Sequence, residues 1–125
     1  MAGLARLKRR AEFLRVAGKG RRSVTPGFIL QALRRPPGTA PSEAGGPVRV
    51  GFTASRKVGI AVARNRARRR LRAAVDRVMP LHAAAGHDYV LVARAGTAGR
   101  DFAALLADLE KALKELGAWC NGGEG

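Results

Sequence analysis

The sequence predicts an α/β sandwich, a small mixed sheet with helices packed on it. Three observations carry this. Residues 48–54 alternate with period two, and residues 88–94 form a short continuous apolar run. Apolar residues also recur at helical spacing before, between and after the strands. The predicted order is helix, strand, strand, helix, strand, helix. At 125 residues the chain has the size of one domain. Its hydrophobic content of 46% is too high for a disordered basic tail.

The first helix is expected over residues 6–17. Leu7, Ala11 and Leu14, and Phe13 with Ala17, are spaced for one face, and Gly18 and Gly20 end it. Residues 24–33 read as a strand around the β-formers Phe28 and Ile29. Residues 34–47 hold four Pro and three Gly and read as a loop, a floppy insertion from 36 onward. In the next strand Val48, Val50, Phe52 and Ala54 share one face, while Arg49, Gly51, Thr53 and Ser55 share the other. The strands on either side of the loop are expected to pair antiparallel, without a tight hairpin. A long helix follows over 60–79, with Ala67, Leu71, Ala74, Val75 and Val78 as a narrow apolar stripe and Pro80 as its stop. The run 88–94 is a strand buried on both faces. The last helix covers 101–116, with Asp101 as N-cap and Phe102, Leu105, Leu106, Leu109, Leu113 and Leu116 on one face. The tail 121–125 is expected to fray. One domain, 1–125 with its core over about 4–117, accounts for the whole.

Charge points to a partner. The net charge is +15, and 19 of the 24 basic residues are Arg. Between residues 56 and 72, eight of seventeen residues are basic, and no acid occurs from Ala44 to Val75. Such a run repels itself unless an anion supplies the counter-charge. Guanidinium forks fit phosphate oxygens in pairs and stack on bases, which favours nucleic acid, RNA above all. On a helical wheel of ~100° per residue, Arg68 and Arg72 flank one side of the stripe. Arg66, Arg70 and Arg77 flank the other, and Arg69 points outward with Asn65. Asn65 adds a directional donor and acceptor suited to a base edge or ribose hydroxyl. The bland alternative is a solvated helix face balanced by neighbouring acids. The other anionic partner, a bilayer, is not supported by any apolar run of the ~20 residues a span requires. Arg6, Lys8, Arg9 and Arg10 precede no apolar segment, so no signal peptide is expected. The lone Cys120 suits a reducing cytoplasm.

The same stretch carries a resemblance. Arg49-Val50-Gly51-Phe52, then Ser55-Arg56-Lys57-Val58-Gly59, then Ala61-Val62-Ala63-Arg64-Asn65-Arg66 with Arg68, Arg69 and Arg72 resemble the motif of the bacterial ribonuclease P protein component. Arg6-Leu7-Lys8 with Glu12-Phe13, the strand 88–94 and the closing Leu-rich helix are similar as well. The resemblance covers about residues 4–117. It implies the ribosomal protein domain-2-like fold, with a left-handed crossover between the second and third strands where the general rule is right-handed.

It also implies the chemistry. Ribonuclease P removes the 5′ leader of precursor tRNA by phosphodiester hydrolysis, and its RNA subunit holds the catalytic magnesium. The protein would bind that RNA and the leader without cutting, as one monomer per RNA in the cytoplasm. The resemblance places Arg64, Asn65, Arg66, Arg68, Arg69 and Arg72, with Arg56 and Lys57, against the RNA subunit. It places the leader in a cleft between the first helix and the sheet, with Phe13 as an aromatic platform and Arg9 and Arg10 nearby. Here the chain departs from the family: Ala17 and Gln31 stand at positions often aromatic. The bland reading makes Phe13 a core residue, and core is favoured for Phe28.

The residues alone offer no catalytic centre. The acids are scattered, with no pair placed for two-metal chemistry, and no Cys or His spacing resembles a zinc site. His82 and His87 read as surface residues. Trp119 reads as packing at the end of the last helix. Gly18-Lys19-Gly20 reads as helix termination before an anion nest. The rival function, a non-catalytic ribosomal or general RNA-binding protein, needs only charge and a small fold.

Overall fold

The structure, a computed structural model, describes residues 4–35 and 48–120. The expected insertion and the frayed tail lie outside the described residues. Five strands form one sheet: β1 (Leu4–Arg6), β2 (Arg21–Val24), β3 (Phe28–Arg34), β4 (Val48–Thr53) and β5 (His87–Ala93). Three helices accompany them: α1 (Arg10–Lys19), α2 (Ala61–His82) and α3 (Phe102–Glu115). The strand order is β1-β4-β5-β3-β2. β4 runs parallel to both β1 and β5, whereas β3 runs antiparallel to β5 and β2.

The alternation along each strand decides the layers. Leu30 of β3, Val50 of β4 and Leu91 of β5 point to one side, where Leu71 and Val75 of α2 and Leu105, Leu109 and Leu113 of α3 meet them in the main core. Each fully buried Leu there contributes about 1.5–3 kcal/mol by leaving water. Sheet, α2 and α3 thus form the expected sandwich. The opposite side carries a small cluster of Leu7, Val16 and Val90, with Phe13 packed against it. α1 covers only part of that face. Tyr89 is buried in the main core, and its hydroxyl donates to the Ala84 carbonyl at 2.9 Å. Burial raises its pKa, helped by Cys120 and opposed by that hydrogen bond.

Several expectations need correction. The strands around residues 24–33 and 48–54 do not pair, because β5 lies between them. A strand apolar on both faces belongs in the sheet interior, where both its edges are hydrogen-bonded. The first helix starts at Arg10, not at residue 6. Residues 4–6 extend instead as β1, and the Leu7 N–H continues that pairing by donating to the Val50 carbonyl at 3.0 Å. Leu14, expected on the inner face, is exposed, and Val16 takes the buried position. Gly18 lies within α1, and Gly20 is the C-cap, its N–H donating to the Val16 carbonyl at 2.8 Å. Pro80 does not stop α2, which continues to His82. The carbonyl that Pro80 leaves without a donor belongs to exposed Asp76, where water can satisfy it. Asp101 occupies the N-cap position of α3, but its side chain makes no capping hydrogen bond. β1 and β2, three and four residues long, escaped the periodicity reading.

Candidate nucleic-acid interface

α2 begins where β4 ends. A single 3-10 turn, Arg56–Val58, joins them; the Ser55 hydroxyl accepts from the Lys57 N–H at 3.3 Å. Gly59 follows with φ of 140°, a value L-residues rarely adopt, and reverses the chain into the helix. Only a narrow seam of α2 is buried: Ala67, Leu71, Ala74, Val75 and Met79. The rest of the circumference carries cations.

The expected site residues gather on that surface. Arg56, Lys57, Asn65, Arg66 and Arg69 are exposed, and Arg64, Arg68 and Arg72 are half-buried. None of these cations has an ion-pair partner among the described residues. Their contacts are neutral. Arg64 donates to the Gly59 carbonyl at 3.3 Å, Arg68 donates to the Asn65 side-chain oxygen, and Arg72 lies 5.7 Å from the Phe52 ring centroid. The balanced, solvated helix face therefore does not describe α2. Two apolar side chains lie among these cations without cover, Ile60 at 75% exposure and Val62 at 65%. Their presence was not anticipated, since they sit at the helix start, outside the apolar stripe.

The second set lines the partly covered sheet face. Phe13 is half-buried: it packs against the small cluster yet borders a groove shared with Lys8, Arg10, Phe52 and Thr53. Gly51 admits it. A Cβ there would lie 2.4 Å from the Phe13 Cε1 atom. Register places Gly51, Val90, Gln31 and Arg22 in one row across β4, β5, β3 and β2. Gln31 is thus two strands, ~10 Å, from the position beneath Phe13. Ala17 and Arg9 are exposed on α1 and at its N-cap. Beyond α1 the next row, Thr53, Val92 and Ile29, is only half-buried and ends at exposed Val24. Phe28 is fully buried in the main core.

One cluster was missed entirely. The carboxylate of Asp88, buried at 0% exposure, accepts from Arg15 at 2.8 Å, from Arg35 at 3.0 Å and from Arg49 twice at 2.8 Å. Arg49 also bonds Glu12 at 2.9 Å. Burial raises the Asp88 pKa, but the hydrogen bonds from Arg49, Arg35 and Arg15 and the charge of Arg49 outweigh it and hold the value below the ordinary 3.8. The available signal was an acid leading a doubly buried strand, which requires paired cations. The network fastens α1 to the sheet and so sets the cleft's wall. At the far end of α2, His82 stacks on Trp119 at 4.0 Å between ring centroids, and its Nδ1 meets the Cys120 carbonyl at 2.8 Å.

Metal chemistry finds no donor set here. Among the described residues no group of three or more His, Cys, Asp and Glu could hold an ion. Asp88, Glu12, Asp108 and Glu110 are engaged by Arg or Lys. Among the described residues no helix is long and apolar enough to cross a membrane.

Comparison with known proteins converges on one family. The family model described as Ribonuclease P matches residues 1–117. The "Ribonuclease P protein component" of Paramagnetospirillum magneticum is 53% identical over 117 residues, spanning 94% of this chain and 86% of that protein. Its namesake from Gluconacetobacter diazotrophicus is 51% identical over 115 residues, spanning 90% of each. The RNase P protein of Staphylococcus aureus superimposes with a TM-score of 0.71 at 23% identity, over 92% of this chain and 97% of that one. That last likeness bears on the fold alone.

Proposed function

The chain belongs to the ribonuclease P family, and on that premise we propose how its surfaces divide the work. As the family's protein component it is part of an endoribonuclease holoenzyme that associates with the ribonuclease P RNA and processes tRNA. The surface of α2 around Arg64, Asn65, Arg66, Arg68, Arg69 and Arg72, with Arg56 and Lys57, binds the RNA subunit. One observation carries this assignment: these cations are exposed or half-buried on one surface, and none is ion-paired to an acid among the described residues. Desolvated guanidinium–phosphate pairs supply what the protein itself withholds.

The cleft beside α1 takes the single-stranded 5′ leader of precursor tRNA. Phe13 offers a stacking platform, Gln31 a hydrogen-bonding group, and Lys8, Arg9 and Arg10 the phosphate contacts. Stacking on an aromatic stabilises each base by ~1–3 kcal/mol with little sequence preference. Leaders of differing sequence therefore fit. The protein does not cut. Among the described residues no group of three or more His, Cys, Asp and Glu could hold an ion; the proposal assigns magnesium and hydrolysis to the RNA and substrate holding to the protein. One protein monomer per RNA, working in the cytoplasm where precursor tRNA is made, completes the proposal.

The test mixes the protein with precursor tRNA, with and without a bacterial ribonuclease P RNA, at low magnesium. Cleavage is expected only when both are present. Cleavage by the protein alone would place the catalytic groups in this chain. No stimulation by the protein at limiting magnesium would leave it a general RNA binder.

A further inference from the structure

A second cationic pocket lies at the end of the sheet away from the start of α2. It is a half-open cavity of about 330 Å³ lined by Lys19, Arg21, Leu33, Arg34, His87 and Leu116. The β3–β5 register sets its distance from the first site. Phe28 pairs with Ala93 at one end and Arg34 with His87 at the other. Six residue steps separate those ends, ~20 Å along the strand. The pocket therefore lies well away from the start of α2.

Its composition suits a nucleotide. Lys19, Arg21 and Arg34 are exposed and have no ion-pair partner among the described residues. No acid lines the cavity. Asp88, next to His87 in sequence, is held by Arg15, Arg35 and Arg49. Leu33, packed with the α1-side cluster, and Leu116, packed with the main core, border the cavity from opposite faces of the sheet. Clustered cations without an acid match the phosphates of a sugar-phosphate chain passing around the sheet edge.

β2 links the pocket to the cleft. Ser23, opposite Leu30, is buried on the main-core side. Alternation then turns Arg22, opposite Gln31, to the cleft side, and Arg21, opposite Ala32, to the other. A strand of RNA passing Gln31 meets Arg22 at the sheet edge and the pocket just beyond it. We propose that this pocket binds a phosphate of the upstream part of the 5′ leader, continuing the cleft around the edge of β2. The proposal rests on the leader reading of the cleft. The catalytic RNA is the other source of the same phosphate chemistry, and the test separates the two.

The double variant Arg21→Gln, Arg34→Gln is assembled with the RNA subunit, beside a charge-keeping control, Arg21→Lys, Arg34→Lys. Binding of mature tRNA and of precursors with leaders shortened stepwise from the 5′ end is measured across salt concentration. For the longest leaders the log–log salt slope should fall by ~0.7 per lost contact, ~1.4 for the pair. Leaders too short to reach the pocket, and mature tRNA, should bind as with the wild-type protein, and the Lys pair should keep the full slope. Equal losses for every substrate, mature tRNA included, overturn the proposal and assign these cations to the catalytic RNA. An unchanged slope for the longest leader overturns it too. The wild-type complex reports separately on the underlying reading. If it binds precursor and mature tRNA equally, the cleft assignment falls, and the pocket's occupant with it.

Discussion

Phe13 stands at a boundary between packing and recognition. One side of its ring closes the small cluster on the α1 face, and the other borders the groove. Gly51 makes this possible, since a Cβ there would also lie 2.6 Å from the ring's Cζ. Phe13→Ala should weaken precursor tRNA binding by ~1–3 kcal/mol, the scale of one stacked base. Mature tRNA, which has no leader, should be almost unaffected. Gly51→Ala should act in the same direction by displacing the ring, with the Phe13 side chain still present. Gln31→Tyr should strengthen precursor binding selectively by adding a stacking face. The quantity to measure is the ratio of precursor to mature affinity in the reconstituted complex. Equal losses for both substrates would make Phe13 a packing residue only.

At the scale of one element, α2 shows how a helix can serve two demands. Its seam of small and branched residues packs on the sheet, and the narrowness of that seam leaves most of the circumference for cations. If six of them engage phosphates, the log–log salt slope of RNA binding is roughly −4 to −5. Arg66→Ala and Arg69→Ala should each flatten that slope by about one unit. Asn65→Ala should lower affinity with the slope nearly unchanged. It removes a neutral hydrogen-bonding group and the acceptor that holds Arg68, but no charge. Unchanged slopes for both arginine variants would move the contacts away from this face.

The whole molecule is tied together at Asp88. Val16 is the one fully buried residue of α1 and Phe13 is half-buried, so Arg15 and Glu12, reaching the cluster at the ends of β3, β4 and β5, add to the hold of the helix on the sheet. The folded-state pKa of Asp88 lies below 3.8. Its stabilising contribution is therefore complete above about pH 4 and is lost as pH falls through the lower folded value. Asp88→Asn should destabilise the protein near neutral pH by about 3–5 kcal/mol, because guanidinium groups are left in a buried site without their anion. The gap in melting temperature between wild type and variant should narrow on acidification below pH 4. A gap that stays constant down to low pH would show that the Asp88 charge contributes nothing.

Local pattern determined much of this protein in advance. The period of residues 48–54, the apolar run of 88–94 and the stripe in α2 are each readable within one segment, because neighbours in sequence set them. The Arg-Asn-Arg motif and the acid-free window identified the family and the cationic helix for the same reason. Tertiary structure alone decided how the segments meet. Nothing local states that β5 lies between β3 and β4, since strand order depends on which edges find partners after collapse. The short strands β1 and β2 exist only through the neighbours that hold them. Arg15 and Asp88 are 73 residues apart, and Arg49 and Asp88 are 39 apart. Phe13 reaches Gly51 of β4 only because α1 packs across the neighbouring strands β3 and β5. Contacts of that kind arise from the packing of elements, and a linear pattern carries no record of them.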